Sequence, residues 1–204
     1  MKLAAVIAAA LCVVQGGMAH AVRLSIDPAA IGIERLDRAW ESSGLESRTA
    51  PRIGFGTALD FGHGLGIGAG LATAAGTTTF GLLSGPSARL VRTEATLELR
   101  ARAPIEWHGI GLRGVVGGGR LRIAWRPDRV VLDTTSGGVA VDLTPVHAWT
   151  RHLAAEVLHS WGPSTLALRA GWRWYALDVA TPDGTSRQAM RDAVVAIVIA
   201  AKLR

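Results

Sequence analysis

Two histidines and a glutamate, His152, Glu156 and His159, are of the residue types that hold metal ions. On a helix they would fall at i, i+4 and i+7 along one face and could ligate a cation. On a strand, His152 and Glu156 share a face about 13 Å apart and His159 points away. The sequence has no HExxH pattern and offers no fourth ligand, so these histidines read as loop or interfacial residues and no metal ligand is assigned. His159-Ser160 is the adjacent pair that a lipid-processing hydrolase could use. Neighbours on a strand point to opposite faces, and nothing here orients the histidine, so no catalytic residue is assigned. The glycine-rich runs Gly62 to Gly70 and Gly117 to Gly119 lack the Gly-Lys-Ser/Thr ending of a phosphate loop. No cofactor is predicted.

The charged residues have a different chemistry available to them, which is pairing. In "SARLVRTEATLELRARAP" (87–104), Val91, Thr93, Ala95, Leu97, Leu99 and Ala101 alternate with Arg92, Glu94, Thr96, Glu98 and Arg100. In "GRLRIAWRPDR" (119–129), Leu121, Ile123 and Trp125 alternate with Arg120, Arg122 and Arg126. In "STLALRAGWRWYALDV" (164–179), Leu166, Leu168, Ala170, Trp172 and Trp174 alternate with Arg169, Gly171, Arg173 and Tyr175. A row of this kind is costly in a dry core unless its members pair, whereas a barrel interior lets Arg and Glu meet each other and water. The predicted lumen-lining residues are therefore Arg92, Glu94, Glu98, Arg100, Arg120, Arg122, Arg169 and Arg173. With Arg126 and Lys202 added there are eight inward cations, against the four anions Asp60, Glu94, Glu98 and Asp192, a net of +4. If water runs through, that excess favours anions.

The elements that must position these rows are strands. In "RIGFGTALDFGHGLGIGAGLAT" (52–73), Ile53, Phe55, Thr57, Leu59 and Phe61 oppose Gly54, Gly56, Ala58 and Asp60. After Gly62-His63-Gly64 the alternation resumes, with Leu65, Ile67, Ala69 and Leu71 against Gly66, Gly68, Gly70 and Ala72. Period two with one oily and one nearly bare face is a β-hairpin, and the bare face leaves room for long side chains from other strands. The last segment offers Val195, Ile197, Ile199, Ala201 and Leu203 as an outer face, with Asp192 and Lys202 on the other. Tight turns are expected at 62–64, 102–104, 126–129 and 160–163, and looser links near 82–87, 116–119, 134–138 and 180–188. That division yields nine strands. A barrel with both termini at one end needs an even number, so either "AVRLSID" (21–27) is a tenth or one weak strand is not real. Between 29 and 47, Ile33, Leu36 and Trp40 recur at helical spacing, which predicts a short amphipathic helix that lies on a membrane, caps a loop or plugs the lumen. Around 146–160, Trp149, Leu153 and Val157 suit a helix or a strand equally. Trp107, Trp125, Trp161, Trp172 and Trp174 fall near strand ends, where interfacial belts form.

The 204 residues suffice for one unit. Lys2, the apolar stretch from Leu3 to Val14 and Ala19-His20-Ala21 read as a secretory signal, 1–21, cut before Val22. The single cysteine, Cys12, lies inside it, so the mature chain has no thiol for disulfides, thiol catalysis or metal binding. The segment 22–51 is then an N-terminal piece, strand or amphipathic helix or both, and 52–204 the barrel. Net charge is +6, or +5 without Lys2, which suits anionic lipid headgroups and lipopolysaccharide phosphates; nucleic acid is not an expected partner of an exported chain.

Signal, size, alternating segments and inward Arg/Glu rows together resemble the small outer-membrane β-barrel proteins of Gram-negative bacteria. The resemblance implies an all-β, antiparallel up-and-down transmembrane barrel of 8 to 10 strands. It also implies Sec export, insertion by the barrel-assembly machinery, outer-membrane location and a non-enzymatic role, structural or weakly pore-forming. A soluble periplasmic barrel that binds an apolar ligand inside, as lipocalins do, is the alternative, with a lipid-modifying barrel enzyme as a third reading.

Overall fold

The computed structural model describes residues 22–43, 48–61, 64–79, 86–134, 137–181 and 184–202. The expected export signal and Leu203 lie outside the described residues. The described strands are β1 (Arg23–Arg35), β2 (Thr49–Asp60), β3 (Leu65–Thr79), β4 (Ser87–Trp107), β5 (Ile110–Arg126), β6 (Arg129–Thr134), β7 (Gly137–Asp142), β8 (Val146–Trp161), β9 (Ser164–Thr181) and β10 (Gly184–Lys202). Eight of them close into a ring in the order β1-β10-β9-β8-β5-β4-β3-β2, every neighbour antiparallel. Closure leaves no unpaired edge, which a lipid environment requires of any sheet. The odd strand count resolves here: β6 and β7 pair only with each other, as a hairpin within the connection from β5 to β8.

Two expected breaks are not breaks. β4 runs through 102–104 to Trp107, with only a register shift between Arg102 and Glu106, where Pro104 has no N–H to give the ladder. β5 runs through Gly117 to Gly119. Those glycines serve close approach rather than a loop, since a Cβ would lie 2.2 Å from the Leu97 carbonyl oxygen at Gly117 and 2.0 Å from that of Ala95 at Gly119. The predicted amphipathic helix is not formed either. Residues 23–35 are strand, with a bulge between Asp27 and Ala30 around Pro28, and only Arg38–Ser43 turns, as a short 3-10 helix. The helical spacing of Ile33, Leu36 and Trp40 straddles a strand end and this turn: Ile33 faces outward, while Leu36 and Trp40 are buried. β1 is what joins β2 to β10, so the ring demands its backbone groups. The stretch 146–160 is likewise strand.

The outer wall is apolar, with side chains such as Ile53 (61% exposed), Phe55, Leu97 and Ile197 turned outward. Trp107 and Trp161 stand beside the tight turns at 108–109 and 162–163, the end that also holds the chain ends of β1 and β10. Trp149, Trp172 and Trp174 stand outward nearer the other end, where the longer connections lie. Trp161 and Trp149 are 12 residues apart on β8. At about 3.3 Å per residue and a tilt of about 40°, that separation is about 30 Å along the barrel axis, enough to bracket an apolar band of about 25 Å.

The interior changes with height. Near the longer connections it is oily: Leu36, Trp40, Leu90, Leu121, Ile123 and Tyr175 belong to one buried cluster, and the Trp40 indole donates to the Tyr175 hydroxyl at 2.8 Å. Asp37 ties this cap to the wall, its backbone N–H donating to Asp192 (2.9 Å) and its carboxylate accepting from the backbone N–H of Arg191 (2.8 Å). Below the cap the interior is ionic.

Candidate functional site

Six of the eight predicted lumen residues meet inside the ring: Arg92, Glu94, Glu98 and Arg100 from even positions of β4, and Arg169 and Arg173 from odd positions of β9. Arg120 and Arg122 do not. They are exposed on the outer wall, and the residues expected outside, Leu121 and Ile123, are buried in the cap at 0% and 1% exposure. Arg126 is outward as well. The physical reason is height. At that level β5 has left the apolar band, so its outer face meets water or headgroups and its inner face meets the oily cap.

The structure also adds charges that the sequence reading left out, namely Asp27 and Glu34 of β1, Arg52 of β2, Arg113 of β5 and Glu156 of β8, beside the expected Asp192 of β10. Arg52 shares the parity of Gly54 and Gly56, and Glu34 follows the outward pair Ile31 and Ile33, so both were within reach of period-two reasoning. Asp27 was hidden by the bulge that follows it.

These groups form two knots. In the one nearer the cap, Arg173 Nη1 donates to Glu34 (3.0 Å) and Glu94 (2.9 Å), while Nη2 donates to Glu34 (3.1 Å) and Asp192 (2.7 Å). Arg52 reaches Glu94 at 3.1 Å and also pairs with Glu34; Arg92 reaches Asp192 at 3.1 Å and also pairs with Glu34. Thr150 donates to the other oxygen of Glu94 at 2.8 Å. In the second knot, Arg169 grips Glu98 with both terminal nitrogens (2.7 and 3.1 Å) and Glu156 with Nε (2.6 Å). Arg113 completes Glu156, and Arg100 spans Glu98 (3.1 Å) and Asp27 (2.8 Å). Each knot holds three arginines and three carboxylates. The inward excess of +4 thus becomes a balance of six against six in the two knots: Arg120, Arg122 and Arg126 leave the count, Arg52 and Arg113 join the cations, Asp27, Glu34 and Glu156 join the anions, and Lys202 and Asp60 take no part in either knot.

The bare face of the β2–β3 hairpin makes room for these long side chains. A Cβ on Gly68 would sit 2.7 Å from Arg100 Nε and 2.9 Å from its Cζ, so the guanidinium lies flat where glycine leaves space. Arg52 crosses the same bare strand to meet Glu94 on β4. Beside the knots is a cavity of about 70 Å³ lined by Asp27, Arg52, Thr96, Glu98 and Arg100 among others. A second of about 40 Å³ lies against Glu94, His152, Arg169 and Arg173. Each has room for a few water molecules beside the charged groups.

His152 points inward, its Nε2 3.4 Å from Glu98, while His159 points outward against Trp161. Ser160 turns to Thr165 at 3.1 Å, on the face opposite His159. The arrangement therefore pairs charges across the ring; its carboxylates are all engaged by arginines.

No family model matches the chain, and no curated protein does. Among solved structures it is similar to Neisserial surface protein A, at 11% identity and a TM-score of 0.53 over 89% of this chain and 97% of that one. It is also similar to a major outer membrane protein from Thermus thermophilus, at 11% identity and a TM-score of 0.56 over 90% of this chain and all of that one. The likeness is one of fold: an antiparallel up-and-down barrel of the outer-membrane type.

Proposed function

We propose that this chain is a structural, non-enzymatic protein of a Gram-negative outer membrane, a closed barrel that presents its longer connections and the β6–β7 hairpin on the outer side. The observation that carries this reading is the filled interior: two charge-balanced knots that bridge strands across the ring, beneath an apolar cap. The outward apolar wall supports membrane insertion over a soluble, ligand-binding barrel, whose oily face would turn inward. The fold likeness to a surface protein and an outer membrane protein supports the location, and with it Sec export and assembly by the barrel machinery. A weak anion pore loses its warrant once the inward charges balance.

Two measurements on the full chain test this reading. Protein from a washed outer-membrane fraction should migrate faster unboiled than boiled in SDS, and the same protein in planar bilayers should be electrically silent. Recovery in the soluble periplasm with no heat shift would refute the membrane barrel, and steady anion-selective conductance steps would refute the closed lumen.

A further inference from the structure

Arg120, Arg122, Arg151 and Arg191 are all exposed, all on the outer wall, and all at the height where the apolar band gives way. With the tryptophans between them they span neighbouring strands, in the order β5, β8, β9, β10. Arg120 is the register partner of Trp149, Arg151 that of Trp174, and Trp174 that of Arg191. The guanidinium of Arg120 lies 5.2 Å from the Trp149 ring centre, and that of Arg191 lies 5.1 Å from Trp172 and 5.9 Å from Trp174. Among the described residues, none of the four guanidinium groups has a carboxylate within ion-pair distance. Asp37 takes the backbone N–H of Arg191 rather than its side chain, and Asp178, four residues above Trp174, is the register partner of Arg187. On the opposite sector, β1 to β4 present Thr49, Thr73, Thr77 and Thr93 outward near the same end with two arginines, Arg35 beside Thr49 and Arg89 beside Thr77, neither of which has an aromatic ring against it among the described residues.

A guanidinium stacked on an indole is held in orientation while its in-plane N–H edge stays free, which is the arrangement that grips a phosphate with two parallel hydrogen bonds. The row crosses three strand spacings, about 14 Å, the breadth of a sugar pair bearing a phosphate at each end. Lipid chains below would lie on Val116, Leu153, Leu168 and Val195, the outward residues beneath the row on the same four strands. We infer that Arg120 and Arg191, braced by Trp149, Trp172 and Trp174, together with Arg122 and Arg151 beside them form a binding site for the diphosphorylated glycolipid of the outer leaflet, the lipid A part of lipopolysaccharide. The inference rests on the outer-membrane reading above and deepens it, because the occupant is a lipid of that leaflet and the contact is with the sector that carries the tryptophans.

The test uses the purified chain in detergent micelles, first verified as a barrel by its heat-dependent mobility. It is titrated with diphosphoryl lipid A, with dephosphorylated lipid A of the same acyl chains, and with phosphatidylglycerol. Each arginine near an anionic lipid surface contributes roughly a fivefold gain, so R120Q/R122Q/R151Q/R191Q should lose at least about a hundredfold in affinity for diphosphoryl lipid A. The corresponding four-lysine variant should recover only part of it, since lysine keeps the charge but not the paired donors. Equal binding of phosphorylated and dephosphorylated lipid A, or full affinity in the glutamine variant, would overturn the site while leaving the barrel reading intact. Phosphatidylglycerol bound as tightly as diphosphoryl lipid A would overturn the glycolipid assignment. Loss of the heat shift in the parent chain would overturn both readings. A glutamine variant that loses its own heat shift is replaced by the single changes R120Q and R191Q, each expected to cost roughly fivefold, with unchanged affinity in both refuting the site.

Discussion

Replacement of Arg173 by methionine separates a dry, paired lumen from a wet one. Arg173 is 2% exposed and donates four hydrogen bonds to three carboxylates, those of Glu34, Glu94 and Asp192. Methionine restores much of the volume but leaves two arginines, Arg52 and Arg92, to serve three carboxylates. An uncompensated buried charge costs about 3 to 5 kcal/mol. Glu94 keeps Arg52 and Thr150, and Asp192 keeps Arg92, so about 3 kcal/mol is expected for Arg173→Met. Adding Glu34→Gln returns the knot to charge balance, two against two, and the double variant should be more stable than the sum of the single losses predicts by about 2 kcal/mol. The assay is urea unfolding in lipid vesicles, followed by loss of the fast-migrating unboiled band. In a water-filled channel the same pairs would be screened and worth about 0 to 1 kcal/mol each. A loss below about 1 kcal/mol for Arg173→Met, or strict additivity in the double variant, would refute the paired-lumen account and reopen the pore.

The glycines offer a graded test by the same assay. Gly119→Ala puts a methyl group 2.0 Å from a backbone oxygen and should be strongly destabilising, and Gly68→Leu should displace Arg100 and cost about 1 to 3 kcal/mol, whereas Gly114→Ala, with its nearest neighbour at 3.9 Å, should stay within about 0.5 kcal/mol of the parent. On the outer wall, Leu97→Arg should cost about 2 to 4 kcal/mol and Thr77→Arg, near the longer connections, about 0 to 1 kcal/mol; equal costs would contradict the depth assigned to the apolar band. Replacing 129–142 by a short Gly-Ser linker should leave the heat shift in place, because β6 and β7 form a two-stranded sheet of their own outside the ring, and its loss would show that the hairpin is needed to close the ring.

Much of the ring could be read from period two alone. The facing of β2, β3, β4, β9 and β10 follows from Ile53 to Asp60, Leu65 to Ala72, Arg92 to Arg100, Leu166 to Tyr175 and Val195 to Ala201, each with apolar residues outside and small or charged residues inside. Six of eight lumen residues followed from that phase. What could not be read was the partnership: which arginine meets which carboxylate depends on ring order and shear, and no local pattern encodes either. β1 was obscured by Pro28 and its bulge, which interrupt the alternation at the point where a helix-like spacing begins.

The error at β5 has a more general cause. Its phase never changes: Leu112 and Val116 point outward, and so do Arg120, Arg122 and Arg126, four to fourteen residues further along the same face. What changes is the medium on each side. Within the apolar band the outside is hydrocarbon and the inside ionic, so oily residues mark the outer face. Above it the outside is polar and the inside is the cap of Leu36, Trp40 and Leu90, so oily residues mark the inner face. Polarity alone, taken afresh from Gly119 onward, inverts the strand, whereas the phase of Leu112 and Val116 carried through the three glycines gives the observed facing. The height at which a strand's two faces exchange character is therefore a measure of the membrane boundary. In β5 the switch falls between Val116 and Arg120, in β8 between Leu153 and Arg151, and in β10 between Val195 and Arg191. Those positions are joined by the register of neighbouring strands, so the boundary drawn from three separate segments of sequence is a single band, and the arginines of the outer wall stand on it.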